Sequence, residues 1–113
     1  MKTICIQVQP KRAPGIDVDA VSTLLFRLSL TPGIRGFSIQ RGPKLSWVNF
    51  CFESKTIGSA WQALCSGALA HPKWGSRLRR SSIVTCEGSR GWANYLMLHH
   101  FDAKQVLDRL AGI

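Results

Sequence analysis

The sequence predicts an α+β domain, a ferredoxin-like βαββαβ sandwich with an extra C-terminal strand and helix. The sheet is expected to be antiparallel, with the helices on one face. Three observations lead there. Several short segments alternate apolar and polar residues with period two, and others repeat apolar residues at helical spacing. These segments run strand, helix, strand, strand, helix, strand, which makes two β-α-β halves around a hairpin. A length of 113 residues and a hydrophobic content of 45% suit one α+β domain, 1–113, with one core.

Thr3 to Gln9 is the first strand. It sets Ile4, Ile6 and Val8 on one face and Cys5, Gln7 and Gln9 on the other. Pro10 to Gly15 is a basic loop. Asp17 or Asp19 caps a helix in which Val18, Val21, Leu24, Leu25 and Leu28 recur, and Thr31-Pro32-Gly33 ends it. Ile34 to Arg41 is the second strand, with Phe37 and Ile39 inward. Gly42-Pro43 turns the chain into a third strand, Leu45 to Glu53, paired with the second as a hairpin. Val48, Phe50 and Phe52 share its core face, and Leu45, Trp47, Asn49 and Cys51 share its open face. Thr56 to about Ala70 is a helix striped by Ile57, Trp61, Leu64 and Ala68. A basic stretch from Pro72 to Ser82 shows no clear period. Ser82 to Cys86 is the fourth strand, Glu87 to Gly91 a tight turn, and Trp92 to Phe101 the fifth strand. Asp102 with Gln105 has the form of a capping box, opening a short last helix that buries Val106, Leu107 and Leu110. The expected core is Ile4, Ile6, Val8, Leu24, Leu28, Val48, Phe50, Phe52 and Leu64.

Charge is the strongest functional signal. Fifteen Lys and Arg face six Asp and Glu, a formal net charge of +9. Between Ala20 and Phe101 stand ten basic residues and only two acids, Glu53 and Glu87. Such a field concentrates anions and speeds their encounter. The candidate binding residues are Lys73, Trp74, Arg77, Arg79 and Arg80 in the basic stretch, with Arg35, Arg41, Lys44 and Trp47 from the hairpin. Arg offers a planar fork matched to phosphate oxygens, and Trp offers a stacking face.

Lys44-Leu45-Ser46-Trp47-Val48-Asn49-Phe50 resembles the RNP1 strand of the RNA recognition motif at Trp47, Val48 and Phe50. In that family exposed aromatics on the central strands stack bases. Leu45 stands where an aromatic belongs and Pro43 where a basic residue belongs. Cys5 takes the aromatic position of the first strand. No family is assigned from so short a stretch.

Other chemistry finds little support. The four cysteines, Cys5, Cys51, Cys65 and Cys86, form no paired ligand motif, so neither a metal nor a needed disulfide is expected. Cys5 with Cys51 is the closest exception, as cross-strand neighbours if the first and third strands pair. His99 and His100 are adjacent on a strand and point to opposite faces, so at most one of them joins His71. No nucleophile motif, phosphate loop or carboxylate pair is present, which weighs against an enzyme. No cofactor is expected. No apolar run spans a bilayer and the first residues alternate, so the expected setting is cytoplasmic, away from membranes.

The leading expectation is a non-catalytic protein that engages an anionic partner, nucleic acid (RNA or DNA), through its basic surface. One alternative is an inhibitor, immunity-type or regulatory protein for an acidic protein partner. Another is a small dimeric α+β barrel enzyme. A homodimer would form through the open sheet face.

Overall fold

The computed structural model describes residues 1–110. The strands are β1 (Lys2–Val8), β2 (Ile34–Arg41), β3 (Val48–Ser54), β4 (Ser82–Gly88) and β5 (Gly91–His100). They form one antiparallel sheet in the order β2-β3-β1-β4-β5. Among the described residues three α-helices accompany it: α1 (Val18–Leu28), α2 (Ile57–Leu64) and α3 (Gly75–Ser81). A π-helical turn, Cys65–Leu69, extends α2, with the Ala70 N–H donating to the Cys65 carbonyl (2.9 Å).

The period-two pattern dictates which face is buried. Ile4, Ile6 and Val8 of β1 lie opposite Phe52, Phe50 and Val48 of β3. All six are buried, and they cluster with Val21 and Leu25 of α1, Leu64 of α2 and Leu78 of α3. Burying one such large side chain contributes about 1.5–3 kcal/mol. The Asp17 carboxylate caps α1 by accepting from the Ala20 N–H (3.1 Å). Buried Ser54 ties three elements together: its hydroxyl donates to the Gly33 carbonyl (2.7 Å) and accepts from the Thr56 N–H (3.0 Å).

Several expectations need correction. Leu25 takes the central place given to Leu24, which is only half-buried. The apolar stripe of α1 runs Val18, Val21, Leu25, Leu28, so Leu24 lies at its margin. The third strand begins at Val48, because Pro43–Leu45 forms a tight turn with positive φ at Lys44 and Leu45. Leu45 therefore sits on a turn and not on the open face. The basic stretch contains a helix, α3. The expected C-terminal helix is absent through Leu110. The Asp102 carboxylate accepts from the Lys104 N–H (2.9 Å) in a local turn. The following segment pairs with β5: the Asp108 N–H donates to the Met97 carbonyl (2.8 Å), and the Met97 N–H to the Asp108 carboxylate (2.9 Å). Val106 and Leu107 stay exposed, and Leu110 alone packs on the core.

The cysteine expectation also changes. Cys5 and Cys51 are paired directly across β1 and β3 and are joined in a disulfide, while Cys65 and Cys86 are free thiols. Residues facing each other on one side of an antiparallel pair are close enough to bond.

Two outcomes follow. Phe50→Ala removes a fully buried ring and should cost about 3 kcal/mol in urea unfolding. Titration of denatured protein without reductant should find two reactive thiols, Cys65 and Cys86. Four reactive thiols would show the Cys5–Cys51 bond to be open in the isolated protein.

Candidate functional site

The candidate site forms where the β1–α1 loop meets α3. Past Val8, the Gln9 N–H donates to the Ser81 carbonyl at the end of α3 (2.7 Å). This bond ties the loop to the helix. The turn Pro10–Arg12 then places Lys11 and Arg12 on the surface beside α3. The side chain of Arg77 runs over Gly15, where an added Cβ would stand 3.6 Å from Nε.

Short as it is, α3 is firmly seated. Gly75 lies so close to the π-helical turn that a Cβ there would approach the Leu69 carbonyl to 2.6 Å. Leu78 is fully buried. Before the helix, His71 Nδ1 accepts from the N–H groups of Lys73 and Trp74 (3.1 Å each). At its end, the Ser81 hydroxyl donates to the Arg77 carbonyl (2.7 Å). These contacts fix where its cations stand.

Lys73 and Arg77 both lie over the ring of Trp74. Lys73 Nζ lies 5.1 Å and the Arg77 guanidinium 5.7 Å from the centre of the Trp74 ring, within the range of cation–π attraction. Trp74 is half-buried and packs on the core. Arg80 is exposed at the last turn. Arg79 is engaged differently, since its guanidinium donates to the Leu69 carbonyl and holds α3 against the π-helical turn.

A second aromatic–cation pair is formed by the β1–α1 loop. The Arg12 guanidinium stacks 3.9 Å from the centre of the Phe101 ring. Arg12 Nε donates to Gln9 Oε1 (2.6 Å), and Gln9 Nε2 donates to Gln7 Oε1 (3.1 Å). This chain leads onto the open face of the sheet. There Gln40, Asn49, Gln7, Ile83 and His100 occupy one cross-strand row.

The hairpin residues divide. Arg41 pairs with Val48, and Lys44 lies on the adjoining turn, so both are exposed at the end of the sheet that carries Arg12 and Arg80. Arg35 lies at the opposite end of β2, across from Glu53. Trp47 is half-buried over Gly42, where an added Cβ would collide with the indole nitrogen. Trp47 thus closes the hairpin turn, and the glycine is needed for space.

The structure therefore gathers Lys73, Trp74, Arg77 and Arg80, and sets Arg41 and Lys44 at the same end of the sheet. Arg35 lies exposed at the far end, and Arg79 and Trp47 are engaged in contacts within the fold. Lys11 and Arg12 belong to the cluster but are absent from the sequence-derived set. The signal was present, since their loop reads as basic, but its contact with α3 is set by tertiary packing.

The histidines all have local partners. Because a carbonyl only accepts, His99 Nε2 carries the proton it donates to the Arg79 carbonyl (3.1 Å). His100 Nδ1 accepts from the Asp102 N–H (2.9 Å). Among the described residues, no group of three or more His, Cys, Asp or Glu is placed to hold a metal ion. Nor is any helix there long and apolar enough to cross a membrane.

Compared with family models, curated proteins and solved structures, the chain matches none of them.

Burial lowers the pKa of His99, against a raising contribution from its bond to the Arg79 carbonyl. The unfolded chain then takes up this proton at a higher pH than the folded chain. The associated stability is complete above the ordinary histidine value of about 6.5 and declines as pH falls through that value toward the lowered one. His99→Gln should flatten this part of the stability-versus-pH curve, measured by urea unfolding between pH 7.5 and about 5.

Proposed function

We propose that this domain is a non-catalytic nucleic-acid binder that takes phosphates at the end of its sheet where the β1–α1 loop meets α3. The observation that carries the reading is that the β1–α1 loop and α3 present Arg12 over Phe101, and Lys73 and Arg77 over Trp74, with exposed Lys11 and Arg80 on the same two segments. Cations held in this way are partly ordered before a ligand arrives, so less conformational freedom is lost on binding. Arg12 and Arg77 present guanidinium forks for phosphate oxygens, and the rings hold them in place. Contacts to phosphate position a strand without reading its sequence. The binding is therefore assigned little base preference.

We further infer that the fold is a ferredoxin-like variant. The run β2-β3-β1-β4 supports this, with α1 joining β1 to β2, and α2 with α3 joining β3 to β4. β5 is then an addition at the edge. The fold by itself selects no function.

The test is a salt titration of binding to labelled single-stranded oligonucleotides. Four phosphate contacts, from Lys11, Arg12, Arg77 and Arg80, should give a log–log slope of roughly −3, at about −0.7 per contact. Lys11→Glu with Arg80→Glu alters two exposed side chains. It should weaken binding at least tenfold at low salt while leaving the unfolding midpoint nearly unchanged. Arg79→Ala should do the reverse, lowering stability through the freed Leu69 carbonyl with a smaller effect on affinity. A salt-insensitive affinity, or charge-reversed protein that binds as tightly as the parent, would show that the cluster is not the site. Selective association with an acidic protein in place of nucleic acid would transfer the same surface to a protein partner.

A further inference from the structure

We propose that the outer edge of β2, with the shoulder that α1 lays beside it, is a docking strip for an extended acidic segment of a partner protein. The segment would add to the sheet as a further strand.

The two edges of the sheet are treated differently. At β5 the protein's own C-terminal segment binds the backbone of Met97 through Asp108, both from N–H to carbonyl and from N–H to carboxylate. At the other edge β2 has β3 on one side and, among the described residues, no strand on the other. Its backbone groups on the outer side are a template for another strand. A bulge at Arg35/Phe37 breaks the register at the start, leaving Phe37–Arg41 as a regular run of five residues.

The side chains along this run predict the pattern of the segment. Phe37 and Ile39 face the core side, opposite Phe52 and Phe50. Beside them α1 exposes Phe26 (50%), and the turn that follows α1 exposes Leu30 (68%). Phe26 meets Phe37 edge-on, with ring centres 5.8 Å apart. On the other face Ser38 and Gln40 are polar and exposed. A strand added here meets an apolar shoulder on one face and polar groups on the other, so it should alternate apolar and polar residues.

Charge decides between occupants. Arg41 and Lys44 are exposed at one end of the strip and Arg27 beside Phe26, while Glu53 of the neighbouring β3 lies across from Arg35 at the far end. A second copy paired antiparallel about Ile39, the centre of the regular run, would set Arg41 opposite Phe37 of the other copy and leave each arginine without an anionic partner. A segment with carboxylates at the Arg41–Lys44 end supplies that partner.

The probe is a capped heptapeptide of alternating valine and threonine with two glutamates at one end, and a control with lysines in their place. The intact protein is titrated and followed by amide NMR and hydrogen exchange. The acidic peptide should protect amides within Phe37–Arg41 and bind at least fivefold tighter than the lysine control. Phe26→Ser with Leu30→Ser should weaken it at least fivefold, with the circular dichroism spectrum unchanged. Because these two residues lie outside the α3 cluster, oligonucleotide binding should persist in that variant, and its loss or retention is judged separately from the strip. Arg41→Glu with Lys44→Glu should reverse the preference between the two peptides. Three results would overturn the proposal: no binding at millimolar peptide, protection confined to other elements, or a peptide-free dimer whose protected amides lie in β2.

Discussion

β1 is the strand on which the other elements depend. It is the central strand of the five, with β3 on one side and β4 on the other. Its register sets Ile4 between Phe52 and Cys86, and Ile6 between Phe50 and Val84. Side chains alternate with period two, so a slip of one residue would present Cys5, Gln7 and Gln9 to the helices. That would exchange three fully buried apolar side chains for two amides and one half of a disulfide. No helix could then close the layer without burying unpaired polar groups. The register is thus strongly fixed, and much follows from it. Cys5 falls opposite Cys51 on the other face. Gln9 continues past the sheet to bind Ser81, which fixes the end of α3 beside the start of β4.

The basic cluster is a consequence of that register. Lys11 and Arg12 belong to the loop that leaves β1, and Arg77 and Arg80 belong to the helix that leads into β4. β1 and β4 are antiparallel neighbours, so the end of one lies beside the start of the other. Two basic segments more than sixty residues apart in the chain therefore meet without any direct attraction. Like charges repel, and the cost is carried by the packing of Leu78 and by the fit of Gly75 against the π-helical turn. Arg79 contributes to the same seating. One helix of seven residues thus carries both cations that anchor it and cations that face solvent.

The strands were legible in the sequence because each carries a period-two pattern long enough to read, and the face assignment at Phe50 holds. α3 was not legible. Seven residues make two turns, and only Leu78 among Gly75–Ser81 is apolar, so no period emerges. Its helical state comes from tertiary contacts at Gly75 and Leu78. The last helix failed for the opposite reason. Asp102 and Gln105 look like a cap, but Asp102 closes a local turn, and Asp108 answers the open backbone of β5. Propensity lost to an edge strand in need of partners. Among the site residues, charge was visible while commitment was not. Arg79 and Arg80 are adjacent and chemically alike, yet one binds a carbonyl and the other does not, because Leu69 lies on one side only.

Net charge is a poor guide to this surface, and the dimensions show why. The molecule measures 36 × 32 × 28 Å. Fields between exposed charges decay over about 8 Å at physiological salt. A strand of seven residues spans roughly 20 Å, so the two ends of the sheet are more than two such lengths apart. Lys2, Arg35, Lys55 and Arg90 belong to the end that also holds Glu53 and Glu87, and there the two acids offset half of the positive charge. Lys11, Arg12, Arg41, Lys44 and Arg80 belong to the other end, with Arg77 and Lys73 beside it. Asp17, Asp19 and Asp102 are the acids near that end, and Asp17 and Asp102 already accept backbone N–H bonds. An approaching anion at physiological salt therefore responds more strongly to the end with seven cations than to the other, and the +9 of the whole chain is felt at neither. The fold acts on function here by sorting charge: it places at one rim of a sheet the cations that the sequence scatters over seventy residues.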